Sequence, residues 1–170
     1  MRKVSVYIII AACTFILASC FNPFSPRINN TQSEGNILAD QKTIDGVFRN
    51  FAYSYTFKDT TIYGQLLTDD FVFSYFDYEL GVEVSWDRAT DMRTTEGLFA
   101  NTQGLTLIWN NIVYQSGDSL DADVKRSFNL NITFNPNDIL NFYGFADMTL
   151  TRPTANDVWR IKKWIDQTNP

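Results

Sequence analysis

The chain has 170 residues, of which 45% are hydrophobic and 15% aromatic, with 14 basic against 19 acidic residues and a net charge of −5. It contains no histidine, which excludes Ser-His-Asp and Cys-His catalysis and histidine-ligated zinc. No basic stripe runs along it, so nucleic acid is not an expected partner, and no metal or organic cofactor is expected either.

Arg2 and Lys3 open the chain, and an uncharged apolar run follows from Val4 to Leu17. It ends in Leu17-Ala18-Ser19-Cys20. A cationic start, an apolar core and small residues before a cut site form a secretory signal. The run is shorter than the ~20 apolar residues a membrane-spanning helix needs, which disfavours an uncleaved anchor. Because the small residues lead straight into cysteine, the segment resembles a bacterial lipobox. That resemblance implies a signal peptide over 1–19, cleavage before Cys20 and a lipid on the Cys20 thiol. The protein is then exported and lipid-anchored to the bacterial membrane. Phe21 stands where an acidic residue would signal inner-membrane retention, so in a host with two membranes the outer one is expected. Without Arg2 and Lys3, 12 basic residues face 19 acidic ones, a net of −7. Cys13 leaves with the signal and Cys20 carries lipid, so no free thiol and no disulfide is expected.

Phe21 to Gly35 carries Pro23 and Pro26, several Asn and Ser, and no periodicity. Residues 20–36 therefore read as a lipidated flexible tether, reaching about 20 Å as a coil. Residues 37–170 form one domain, large enough to bury a core without staples.

Within it, a first helix is predicted over Ile37 to Phe57, with Ile44, Val47, Phe48, Phe51 and Tyr55 on one stripe. Asp59 is the N-cap of a short helix over Thr60 to Leu67. Phe71 to Phe76 reads as a strand, and Glu79 to Glu83, containing Gly81, as a loop. Asp87 caps a third helix running to about Ala100. Strands follow over Leu105–Gln115, Lys125–Asn135, Ile139–Thr151 and Val158–Asp166, separated by the turns Ser116–Ser119, Asn135–Asp138 and Pro153–Asp157. Gly144 is expected to mark a bulge or bend. The Lys125–Asn135 strand alternates, with Phe128, Leu130, Ile132 and Phe134 on one side and Ser127, Asn129, Asn131 and Thr133 on the other. It thus has one wet face. That polar strip suits an obligate interface poorly, so a monomer or weak dimer is expected.

Helices first and strands later argue an α+β domain with helices packed on one face of a curved antiparallel sheet. This order resembles the nuclear transport factor 2-like superfamily, whose cone-shaped fold is shared by ketosteroid isomerases, scytalone dehydratase and polyketide cyclases. The resemblance is carried by the corner Tyr63-Gly64-Gln65-Leu66-Leu67-Thr68-Asp69-Asp70-Phe71, by the third helix before the long strands, and by Val158-Trp159-Arg160-Ile161-Lys162-Lys163-Trp164. It covers roughly residues 40–168. It implies a sheet curled around the helices with a pocket at the wide end. The expected wall is Phe51, Tyr55, Tyr63, Phe73, Tyr75, Trp109, Phe142 and Trp159, although aromatic stripes are more often plain core.

The carboxylate candidates for chemistry are Asp77, on the face of Phe73 and Tyr75, and Asp147, in mid-strand near Tyr143 and Phe145. Tyr53 or Tyr55 of the first helix is the candidate donor. None matches a catalytic position of the family residue by residue. Asp69-Asp70 reads as a backbone-capping corner. Asp118, Asp121 and Asp123 read as a solvated turn, because they lack calcium-loop spacing. The favoured function is a membrane-tethered, non-catalytic binding or interaction module of the cell envelope with an aromatic-lined pocket. It would hold a small apolar ligand or meet another envelope protein. The alternatives are a pocket enzyme (isomerase, dehydratase or cyclase) on a small apolar substrate, and a structural component of an envelope assembly.

Metabolic labelling with a palmitate analogue is expected to mark the protein, and Cys20→Ser to abolish both label and processing. A mutant that still takes up the label would refute the lipobox reading.

Overall fold

The computed structural model describes residues 37–168; the signal segment, Cys20 and the 20–36 tether lie outside the described residues. Helix α1 (Ile44–Phe57) begins seven residues later than the apolar pattern predicts. The preceding segment folds back against it instead. The Asn50 side chain accepts from Ala39 N at 2.7 Å and donates to Ala39 O at 3.0 Å. A Cβ at Gly46 would sit 1.9 Å from Asp40 O, so only glycine lets the two backbones approach. The Thr43 hydroxyl caps the helix by accepting from Gly46 N. At the other end Lys58 turns into the left-handed region with φ 55°, and its N–H meets the last carbonyls. Asp59 then caps α2 (Thr60–Gln65) at Ile62 N, as expected.

Strand β1 (Leu67–Asp77) is longer than predicted at both ends. The Asp77 carboxylate accepts from Glu79 N and Leu80 N, tying a tight turn that includes Gly81 at φ 69°. The chain returns at once as β2 (Val82–Asp87), so the predicted loop is half strand. Asp87 caps α3 (Arg88–Asn101) at Thr90 N, as its position predicts. Then come β3 (Gly104–Gly117), β4 (Asp121–Asn135), β5 (Asp138–Thr151) and β6 (Arg160–Asp166).

The six strands form one curved, unclosed sheet in the order β2-β1-β6-β5-β4-β3. All neighbours are antiparallel except β1 and β6, which run parallel. Register explains the inner face. Trp109 lies opposite Phe128, Leu107 opposite Leu130, Leu105 opposite Ile132 and Val124 opposite Met148. Helix α1 packs on this face through Val47, Phe48 and Phe51, all buried. Trp159 and Ile161 are buried together, and the Trp159 indole lies under the Arg152 guanidinium at 4.3 Å.

Gly144 is not a bulge: it pairs in regular register with Phe128. Its bare Cα serves the far end of the chain. A Cβ there would fall 2.6 Å from Thr168 Cα, and Gln167 N donates to Phe145 O alongside. The outer face is less polar than β4 alone implies. Ile108 and Tyr114 of β3, and Tyr143 and Phe145 of β5, flank its polar strip and are exposed.

Phe71→Ala, which empties a site only 1% exposed, is expected to cost ~3–5 kcal/mol. Asp59→Ala, which removes one cap, should cost ~1 kcal/mol. Chemical denaturation measures both, and equal losses would contradict this assignment of core and cap.

Candidate functional site

Helix α1 fills only one end of the concave face. At the other end a cavity of about 540 Å³ remains open. Phe51 forms its floor. That ring stacks on Tyr55 at 5.0 Å and meets the edges of Trp109 at 5.5 Å and Trp164 at 5.4 Å. Beside it stands a second group of rings from β1, β2 and β6. Phe73 stacks on Trp86 at 4.5 Å, Tyr75 meets Trp86 at 5.7 Å, and Trp164 stands edge-on to Phe73 at 5.0 Å. Edge-to-face and offset arrangements at these separations are the favoured aromatic geometries. Leu98 of α3, Leu130 of β4 and Phe142 of β5 close the remaining wall.

Of the residues expected on this wall, Phe51, Tyr55, Phe73, Tyr75, Trp109 and Phe142 line the cavity. Tyr63 and Trp159 do not. Tyr63 is fully buried one layer behind, and Trp159 packs beneath Arg152 away from the cavity. The sequence reading does not single out Trp86 or Trp164 for the wall: the first lies just past the Glu79–Glu83 stretch read as loop, the second in a stretch dominated by charged neighbours.

The carboxylates are distributed differently from the expectation. Asp77 borders the cavity, but both its recorded hydrogen bonds are spent on the β1–β2 turn. Asp147 is not in the wall. It shares the outer face with Tyr143 and Phe145, opposite Lys125 in register, while Ala146, Met148 and Leu150 point inward. The exposed aromatics of the outer strip made this side look like core.

Two other aspartates line the cavity. Asp91 sits on the first turn of α3, buried, with Oδ2 accepting from the Tyr63 hydroxyl at 2.7 Å and Oδ1 from Trp86 Nε1 at 3.1 Å. It thereby joins α2, β2 and α3. Burial raises its pKa above the ordinary carboxylate value, and the two hydrogen bonds and the Arg88 guanidinium only partly offset this. Asp166, at the end of β6, accepts from the backbone and hydroxyl of Thr168, which also lines the cavity. Its pKa too is raised by burial. The Tyr55 phenol is fully buried within the field of both carboxylates. Burial first, then Asp91 and Asp166, hold it un-ionised. Chemically, a neutral phenol and two carboxyl groups that ionise less readily than free aspartate share one largely apolar enclosure.

Among the described residues no cluster of metal-ligating side chains forms a cation site. No family model and no curated protein matches the sequence. Solved structures do match in shape. A candidate dehydratase of the nuclear transport factor 2-like family from Streptomyces avermitilis superposes with a TM-score of 0.60 at 17% identity, over 77% of this chain and 97% of its own. A candidate scytalone dehydratase from Novosphingobium aromaticivorans gives 0.64 at 16%, over 75% and 82%. A protein of unknown function with a cystatin-like fold from Nostoc punctiforme gives 0.57 at 14%, over 75% and 89%. The fold is therefore the nuclear transport factor 2-like, cystatin-like one, shared here with candidate dehydratases and with a protein of unknown function.

A carboxylate whose pKa is raised on folding binds its proton more tightly in the native state, so it lowers stability as pH rises from its unfolded value through its native one. Asp166→Asn keeps an acceptor for Thr168 and removes the charge. It is expected to stabilise the protein at pH 7, with a gain that shrinks toward pH 4. Denaturant melts across that range test this, and a gain that is the same at both ends would contradict it.

Proposed function

We propose that this cone is a binding module which holds a small, mostly apolar molecule without converting it, tethered to the bacterial envelope through lipid on Cys20. The observation that carries the reading is the cavity itself: about 540 Å³, within the range of small-molecule pockets, and walled mainly by aromatic and aliphatic side chains. Aromatic area supplies affinity, while catalysis needs charge placed where a transition state develops it. Tethering suits binding, because it raises the local concentration near other envelope components.

The enzyme reading has one observation in its favour. Asp91 is oriented by Tyr63 and Trp86 and presented to the cavity beside Tyr55. An isomerase or dehydratase acting on a small apolar substrate could use such a group. A structural role in an envelope assembly draws instead on the exposed Ile108, Tyr114, Tyr143 and Phe145 of the outer face.

Calorimetry with an uncharged, water-soluble aromatic such as 2-phenylethanol is expected to show saturable binding. Leu98→Trp, which places an indole in the wall, should weaken it at least ~10-fold, about 1.4 kcal/mol. Nuclear magnetic resonance should show the ligand unchanged after long incubation. Conversion of a bound molecule that Asp91→Asn abolishes would decide for the enzyme.

A further inference from the structure

The ionisable groups around the cavity are all of one sign. Asp91 and Asp166 line its interior, and Asp77 and Glu79 border it from the β1–β2 turn. Among the described residues no lysine or arginine lines it; Arg88, which acts on Asp91, donates to Gly64 O and does not reach the wall. Asp166 has no recorded salt bridge. Its recorded partners, the backbone and hydroxyl of Thr168, are neutral.

The rings nearest these carboxylates are arranged to match. Trp86 binds Asp91 through its indole N–H, and its face stacks with Phe73. Tyr75 lies beside Asp166 in the parallel β1–β6 register, and Trp164 lies two residues before it on the same strand. Aromatic faces carry negative potential and attract cations, most strongly where water is excluded. A carboxylate in the same enclosure adds to that attraction.

From this juxtaposition we propose that the cavity selects organic cations: molecules with an apolar or aromatic body and a protonated amine or quaternary ammonium head. The head sits among Tyr75, Trp86 and Trp164, in reach of Asp166 and Asp91, and the body lies against Phe51 and Trp109. Anionic amphiphiles such as carboxylates are rejected by the same charges. This inference rests on the reading of the cavity as a small-molecule site.

The test uses three probes of one shape: 2-phenylethylammonium, 2-phenylethanol and phenylacetate, titrated at pH 7 against the full chain, with binding read by tryptophan fluorescence and calorimetry. The ammonium is expected to bind at least ~10-fold tighter than the alcohol, with phenylacetate weakest. Asp166→Asn should erase most of that preference, read as the ratio of the ammonium's affinity to the alcohol's. If the alcohol or phenylacetate binds as tightly as the ammonium, the charge selection is refuted and the pocket reading stands. If none of the three binds, the small-molecule reading falls and the inference falls with it. The ranking in the unmutated protein decides the matter even if the variant folds poorly.

Discussion

The position of one ring governs the rest of the molecule. A curved six-stranded sheet offers a concave face that must be covered, and helix α1 is the element that lies across β3 to cover it. Phe51 is where the helix meets both groups of aromatics at once: Tyr55 and Tyr63 on the helical side, Trp109 and Trp164 on the sheet. Large rings in edge-to-face contact hold their neighbours at set distances. Val47 and Phe48 seal the narrow end behind it. Beyond Phe51, Tyr55 of the same helix and Leu98 of α3 wall the space without filling it, so the wide end stays hollow. Floor and cavity follow from the same packing.

The polar groups concentrate at that hollow end, and their cost is physical. A carboxylate in an apolar enclosure is short of solvation unless partners replace the water. Asp91 obtains two donors from different elements and so also works as a joint between α2, β2 and α3. Asp166 is met by Thr168, which reaches it only because Gly144 leaves room. Both remain less easily ionised than free aspartate. A domain of this size could bury leucine at either place at lower cost. That these acids sit around the cavity rather than scattered through the core is consistent with a site kept for recognition at some expense in stability.

Much of the fold was legible in the sequence because its signals are local. Asp59 and Asp87 announce their helices by cap chemistry, and β4 announces its inner face by strict alternation. What escaped is set by distant partners. The residues before Ile44 have helical spacing, but Asn50 captures their backbone from eleven residues away. The strand β2 is a short, exposed edge beside a glycine turn, and the alternation of Val82, Val84 and Trp86 with Glu83 and Ser85 is too brief to outweigh that turn. Asp91 stands in a helix with a weak apolar pattern, and the donors that hold it, Tyr63 and Trp86, come from other elements. Asp147 misled in the opposite way, since exposed aromatics two and four residues away imitate a core. Gly144 carried a true signal with the wrong cause: the close approach came from the chain terminus rather than from a bulge.

The sheet is threaded last through its middle. Strand β6 lies between β1 and β5, although β1 precedes it by nearly a hundred residues. Until β6 is in place, the β1–β2 hairpin and the β3–β5 meander are two separate ribbons, each with an open edge able to pair with another chain. Loop closure between the most distant strands must precede the parallel pairing, which places this topology among the slower folders. A chain cut short before Arg160 loses the strand that links the two ribbons by hydrogen bonds, leaving only helix packing between them. One that loses only Asp166 to Thr168 keeps the sheet but opens one wall of the cavity. Shortening from this end therefore separates binding from folding within a few residues.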